Sequence, residues 1–299
     1  MTAWPTRAPS GRIAYVDGRY LPHGSASVHI EDRGLQFGDA VYEVWRLAAG
    51  RLLDVEEHLD RLERSLGEIE IALPMTRAAL KQVLTETVRR NAATDAIVYL
   101  QVTRGAGRRD HPIPVPAPKP SVIVTVRRLD TESLARRLRD GVTVITAPDQ
   151  RWARCDIKST QLLPNFLAKT TARRAGAYEV WFTDGEGFIT EGASTSAWIV
   201  DAEGRLITRA LSSAILPGVT RLVLLQLAEM AQIVVVERAF TLEEAQGASE
   251  AFLTAASAAA VPVVAIDGVL IGCGKPGPIT LRLQALYAAH SKTGGVQSA

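Results

Sequence analysis

Lysine is scarce in this 299-residue chain and stands only at positions 81, 119, 158, 169, 275 and 292. Lys81 and Lys169 fall in charged helical patterns, Lys119 in a proline-rich loop, Lys275 in a Gly-Lys-Pro turn and Lys292 in the tail. Lys158 differs. It lies between Ile157 and Ser159, just before Leu162-Leu163-Pro164, and is the lysine expected to point inward. A desolvated ammonium group gives up its proton more readily and becomes an amine nucleophile, which is what Schiff-base chemistry requires.

Two further segments could serve such an amine. In Thr190-Glu191-Gly192-Ala193-Ser194, Glu191 closes an apolar run and is followed by small residues. This is either an exposed turn glutamate or a carboxylate held at a strand end beneath a protonated ring. In Leu216-Pro217-Gly218-Val219-Thr220-Arg221, an apolar helix opens on proline and glycine. This is either a plain helix start or a place where a ligand's anion meets the first-turn amides, with Gly218 permitting close approach.

The elements that must position these residues can be read from periodicity. Alternation with Asp17-Gly18 and Ala49-Gly50 turns predicts hairpins over 13–21 and 41–55. Leu59, Leu62, Leu66 and Ile69 recur at helical spacing and predict a helix over 56–70. Thr76 caps a second helix to about 91. Strands follow at 96–103 and 121–127, separated by the proline-rich loop 111–120. Further on, strands are expected near 142–147, 178–183, 187–190, 195–200, 233–237 and 250–254, with helices near 162–175, 219–231 and 278–290. Strands outnumber helices and do not alternate with them one for one, which indicates an α+β fold rather than a doubly wound sheet. The polar, Arg-rich stretch after 128 is read as an interdomain linker, 129–138, between a small N-terminal domain (1–128) and a larger C-terminal one (139–299). The tail 291–299 is read as frayed.

Composition narrows the partners. The formal net charge is +2, with 34 basic and 32 acidic residues interspersed, so neither nucleic acid nor a membrane surface is expected as a partner. No apolar run is long enough to span a bilayer, and the N-terminus has no apolar leader region. Two cysteines make no disulfide framework, and a reducing cytoplasm is the expected setting.

Six ordered segments together resemble the fold-type IV pyridoxal-phosphate enzymes, and within them the D-amino-acid aminotransferases. They are Glu31-Asp32-Arg33-Gly34-Leu35-Gln36-Phe37-Gly38-Asp39-Ala40-Val41-Tyr42-Glu43-Val44, Glu57-His58-Leu59-Asp60-Arg61-Leu62, Gln101-Val102-Thr103-Arg104-Gly105, Arg154-Cys155-Asp156-Ile157-Lys158-Ser159, Thr190-Glu191-Gly192, and Leu216-Pro217-Gly218-Val219-Thr220-Arg221. The resemblance runs from about Tyr15 to Leu286. It implies a two-domain molecule whose larger domain is a mixed, barrel-like sheet with helices. It also implies a homodimer, with active sites near the subunit interface, that acts on small-molecule amino acids and 2-oxo acids.

The same resemblance implies roles. Lys158 would carry pyridoxal 5'-phosphate as a Schiff base and shuttle the substrate's α-proton. Glu191 would pair with the pyridine nitrogen. Arg61, Gly218, Val219, Thr220 and Ser257 would hold the phosphate, and Leu216 would pack on the ring. Arg61 also stands one turn from Glu57, where it could instead form a surface ion pair. Tyr42, Arg109 and His111 would trap the substrate carboxylate, a planar guanidinium being suited to a carboxylate fork, and so select the D enantiomer. Arg108 competes with Arg109 for the inward position. The chain departs from the family at 254–260, where alanines replace hydroxyl residues, and at Thr195-Ser196, where Ser-Asn is usual. Trp45 and Trp198 are placed to reshape the side-chain pocket. Branched-chain L-aminotransferase, (R)-amine transaminase and aminodeoxychorismate lyase activities are the alternatives on this fold. A non-catalytic cofactor-binding scaffold is the alternative of another kind.

Overall fold

The computed structural model describes residues 11–293 and 296–297. The 1–10 segment, read above for a leader, lies outside the described residues.

The first stretch forms β1 (Ile13–Val16), β2 (Arg19–Pro22), α1 (Arg33–Phe37), β3 (Ala40–Ala48), β4 (Arg51–Leu52), α2 (Val55–Glu68), α3 (Arg77–Arg90), β5 (Ala96–Thr103) and β6 (Ser121–Arg128). The second forms α4 (Thr131–Asp140), β7 (Val142–Pro148), α5 (Leu163–Arg174), β8 (Glu179–Thr183), β9 (Ile189–Gly192), β10 (Ser196–Val200), β11 (Leu206–Thr208), α6 (Val219–Met230), β12 (Val235–Glu237), α7 (Leu242–Gln246), β13 (Glu250–Ala255), β14 (Ala258–Ile266), β15 (Val269–Leu270) and α8 (Pro278–Thr293). A short β16 (Val296–Gln297) comes last.

Two compact units result: 1–129 with 157–161 and 294–299, and 130–156 with 162–293. The first holds a seven-stranded sheet in the order β16-β4-β3-β5-β6-β1-β2. Strand β3 alternates cleanly. Val41, Glu43, Trp45 and Leu47 are buried on one face, while Tyr42, Val44 and Arg46 lie half-buried on the other. Helix α2 covers the buried face with Val55, Leu59, Leu62 and Leu66. Each such side chain contributes roughly 1.5–3 kcal/mol by leaving water. Glu56 and Glu57 sit in the helix's first turn, where the helix dipole favours them.

The second unit holds a mixed sheet in the order β12-β11-β10-β13-β14-β7-β8-β9, with β15 on β14. Leu224 and Ala228 of α6 and Leu283 of α8 pack with Trp198 and Phe252 of the sheet.

Three expectations differ from the structure. The stretch read as a linker is mostly helix α4, because Asp130 caps it by accepting from Ser133 N at 2.9 Å and Leu134 and Leu138 turn toward the protein. Residues 157–161, expected within the larger domain, belong to the first unit. The tail does not fray from 291: α8 continues to Thr293, and Val296 pairs with Leu52 at the edge of β4.

Candidate active site

Lys158 is held by main chain. Tyr42 N donates to Lys158 O at 3.0 Å and Thr160 N to Ala40 O at 3.1 Å, with Ser159 bridged to Val41. Lys158 N donates to Ser65 Oγ of α2 at 3.3 Å. The segment is thus held against β3 by an isolated bridge and flanking main-chain hydrogen bonds. The half-buried Lys158 side chain rests its Nζ over the Tyr42 ring, 4.3 Å from the centroid. Tyr42 stacks on Tyr99 of β5 at 5.6 Å, and Tyr99 Oη donates to Gln101 Oε1 at 2.7 Å. Burial, with Tyr42 adding to it, pushes the Tyr99 hydroxyl well above its ordinary value, so it stays a donor.

Strand alternation puts Glu43 on the opposite face from Tyr42, in the core. A buried carboxylate must be paired, and α2 supplies the partners. Arg61 Nε donates to Glu43 Oε1 at 2.7 Å and Nη2 to Oε2 at 2.8 Å. His58 Nδ1 lies 2.7 Å from Glu43 Oε2. Burial alone would raise the Glu43 pKa, but Arg61 and His58 outweigh it and hold the carboxyl well below the usual range. Arg61 is therefore a buried arginine forked onto Glu43, not a surface partner of Glu57. Any phosphate contact through Arg61 would share that guanidinium.

Arg109 and His111 gather on Phe37 at the end of α1. The Arg109 guanidinium carbon is 5.3 Å and the His111 ring 5.7 Å from the Phe37 centroid. Both side chains are exposed, as is that of Arg108. Their loop is clamped from below. Buried Arg33 donates to Asp110 O at 2.7 Å and His111 O at 3.3 Å, and to Asp39 at 2.8 Å. Arg104 Nε meets the same Asp39 oxygen at 2.7 Å. Gly105, at φ +93°, passes so close to the Lys119 carbonyl that no side chain fits there.

In the second unit, Glu191 is the penultimate residue of β9, with 7% of its side chain exposed. Its Oε1 accepts from Leu216 N at 3.1 Å and from Arg151 Nη1 at 2.5 Å. Arg151 also forks onto Asp149. Sequence reading missed Asp149 and Arg151. Two opposite charges two residues apart, close before Lys158, were the available signal.

Leu216 leads into α6, whose N-cap is Gly218. An alanine Cβ there would stand 2.9 Å from Ser196 Oγ and 3.2 Å from Arg221 Cβ. Gly218 gives the helix no side-chain cap. The Thr220 hydroxyl in the first turn is buried and has no hydrogen-bond partner among the described residues, and the same holds for that of Thr195. A buried orphan hydroxyl beside uncapped amides suits an anion, so a cofactor phosphate fits this end. Ser257 lies half-buried in the Ala256-Ser257 turn joining β13 and β14. Trp45 and Trp198, expected beside the side-chain pocket, are fully buried in their cores, against His58 and Phe252.

A family model for amino-transferase class IV matches residues 40–266. D-alanine aminotransferase of Bacillus licheniformis is 40% identical over 268 residues, covering 90% of this chain and 93% of that protein. The Staphylococcus haemolyticus D-alanine aminotransferase is 37% identical over 270 residues, covering 90% and 94%. Among solved structures, the branched-chain amino acid aminotransferase of Escherichia coli superposes with a TM-score of 0.84 at 25% identity, over 93% and 94% of the two chains. The PLP-bound form of a hypothetical aminotransferase from Mycobacterium tuberculosis shares the fold, with a TM-score of 0.81 at 23% identity, over 93% of this chain and 98% of that one. The chain belongs to the class IV aminotransferases. It is a pyridoxal-phosphate-dependent enzyme.

Proposed function

We propose that the enzyme transaminates D-amino acids of the D-alanine and D-glutamate type with 2-oxo acids such as 2-oxoglutarate or pyruvate. The observation that carries this reading is the pair Arg109 and His111 gathered on Phe37 above an Arg33 clamp, in a chain whose curated relatives are D-alanine aminotransferases.

When bound, pyridoxal phosphate supplies an aldehyde for amine exchange and a ring that withdraws electrons from the substrate's α-carbon. The residues of this chain do the rest. Lys158 anchors the cofactor through its amine and moves a proton at the substrate's α-carbon. Tyr42 bears on Lys158 with its ring face, where a protonated amine is attracted, and its hydroxyl is a donor for a carboxylate. Arg109 and His111 present donors that suit the same carboxylate, which fixes the α-hydrogen that Lys158 meets. Glu191 orients the ring through its nitrogen, Leu216 packs on it, and Val219, Thr220, Ser257 and Arg61 receive the phosphate.

The enzyme is proposed to work as a homodimer. Leu163, Phe166 and Leu167 expose more than half their surface on α5, with Trp152 and Leu211 exposed in the same unit. An apolar patch of this kind favours burial against another chain. No helix among the described residues is long and apolar enough to cross a membrane. Both cysteines are free thiols, which suits a cytoplasmic setting.

The purified enzyme should be yellow, and Lys158→Ala should lose the visible band and all turnover. D-alanine with 2-oxoglutarate should yield pyruvate and D-glutamate. A wild type that stays colourless with added cofactor would reject the Lys158 assignment. Turnover of L-leucine in place of D-alanine would favour the branched-chain reading instead.

A further inference from the structure

Arg109 and His111 lie on an exposed loop, yet groups that orient a substrate must be held in place. Neither the Arg109 guanidinium nor the His111 ring has a hydrogen bond or ion pair among the described residues. Each meets the Phe37 ring, at 5.3 and 5.7 Å. Both therefore keep their donors for a ligand, and what aims them is Phe37 and the loop backbone.

Both supports rest on Arg33. With 4% of its side chain exposed, Arg33 has an acceptor at every guanidinium nitrogen. Nε donates to Asp39 Oδ2 at 2.8 Å, Nη1 to Asp110 O at 2.7 Å and Nη2 to His111 O at 3.3 Å. Its guanidinium carbon also sits 4.5 Å from the Phe37 ring centroid. A planar fork of donors fixes two successive carbonyls in a way that a point charge would not. Asp39 is shared in turn. The same Oδ2 accepts from Arg104 Nε at 2.7 Å, and Arg104 donates onward to Ile69 O at 2.5 Å and Glu70 O at 2.9 Å, just past the end of α2. The clamp is thus tied to a packed helix.

We infer that Arg33 and Phe37 are positioning residues for the substrate carboxylate: Arg33 fixes the carbonyls of residues 110 and 111 and the Phe37 ring, which together aim Arg109 and His111. Asp39 and Arg104 anchor Arg33 to α2. This rests on the D-amino-acid reading of Arg109 and His111. Arg33 is buried and fully bonded, so it acts through the loop and not on the substrate. The carboxylate takes no part in the bond changes, so a loosened trap costs binding in the ground and transition states alike. The loss then falls on saturation and not on the limiting rate. A purely structural role would lose cofactor and rate together.

The test mixes holoenzyme with D-alanine and follows the visible cofactor band, which gives a limiting rate and a half-saturating concentration. Propionate, a carboxylate without an amine, is measured by its competition with D-alanine. In Arg33→Met both carboxylate constants should rise roughly tenfold, or about 1.4 kcal/mol. The limiting rate should stay within about threefold, and the cofactor dissociation constant within about twofold. Phe37→Leu leaves the Arg33 hydrogen bonds in place and should raise the same two constants by a smaller factor. Unchanged carboxylate constants in either variant, or limiting rate and cofactor affinity lost in step with them, overturn the inference. Should Arg33→Met not fold, Phe37→Leu carries the test alone. A wild type that does not react with D-alanine, or an Arg109→Met variant that saturates as wild type does, fails the D-amino-acid reading itself. That outcome is distinct from an Arg109 variant that saturates poorly beside an Arg33 variant that behaves like wild type.

Discussion

Glu43 is a carboxylate on the core face of a strand, tolerated because Arg61 and His58 reach it from α2. Removing one partner from a buried pair leaves the other charge uncompensated, at about 3–5 kcal/mol. Glu43→Gln should therefore destabilise the protein by about that much at neutral pH. The Glu43 pKa is lowered on folding. Its contribution is thus fully present above the unfolded value near 4.5 and is lost as pH falls through the lower folded value. Denaturant midpoints of wild type and Glu43→Gln should lie far apart at pH 7 and converge toward pH 2. A constant gap would assign the loss to packing. Glu43 shows what residue reading missed. Its place in a motif was legible, but Arg61 was weighed only between phosphate and Glu57. The fork to Glu43 spans 18 residues and depends on which strand face meets which helix face.

At the scale of elements, α6 approaches the sheet through Gly218. The backbone there, φ −64° and ψ 128°, is one that alanine adopts freely. Any effect of Gly218→Ala therefore comes from the added carbon meeting Ser196 Oγ and, less closely, Arg221 Cβ. We expect Gly218→Ala to weaken cofactor binding roughly tenfold (about 1.4 kcal/mol), and Ser196→Ala in the same chain to recover part of the loss. Equilibrium titration of apoenzyme with cofactor measures both, and no recovery would place the clash elsewhere. Most elements were legible because their periodicity is local: the leucines of α2 and the alternation of β5 need no knowledge of the fold. Helix α4 was not, since its polar face dominates a ten-residue stretch and only Leu134 is buried. Strand β14 was not among the expected strands, because strands covered on both faces lack alternation.

At the scale of the molecule, the exposed apolar side chains of α5 are the feature a monomer would least tolerate. Phe166→Glu places a charge in the proposed dimer contact, where it is costly to bury. It should convert a dimer into monomers in sedimentation at micromolar concentration, with far-ultraviolet circular dichroism unchanged. A monomeric wild type would refute the contact. Molecular organisation was the hardest to read from sequence. The five residues around Lys158 belong with the first unit although they lie beyond α4 and β7 in the chain, and no composition shift marks the return.

The alternation of β3 bears on how such an enzyme diversifies. Positions 43, 45 and 47 are committed to the core, whereas 42 and 44, with 99 and 101 across the pair, lie half-buried on the other face. Replacements on that second face leave the packed side of the strand intact. A lineage can therefore drift in preference among amino acids through a succession of folded ancestors. The amine that does the chemistry stays in place meanwhile, tethered by peptide groups that no codon change at those positions removes.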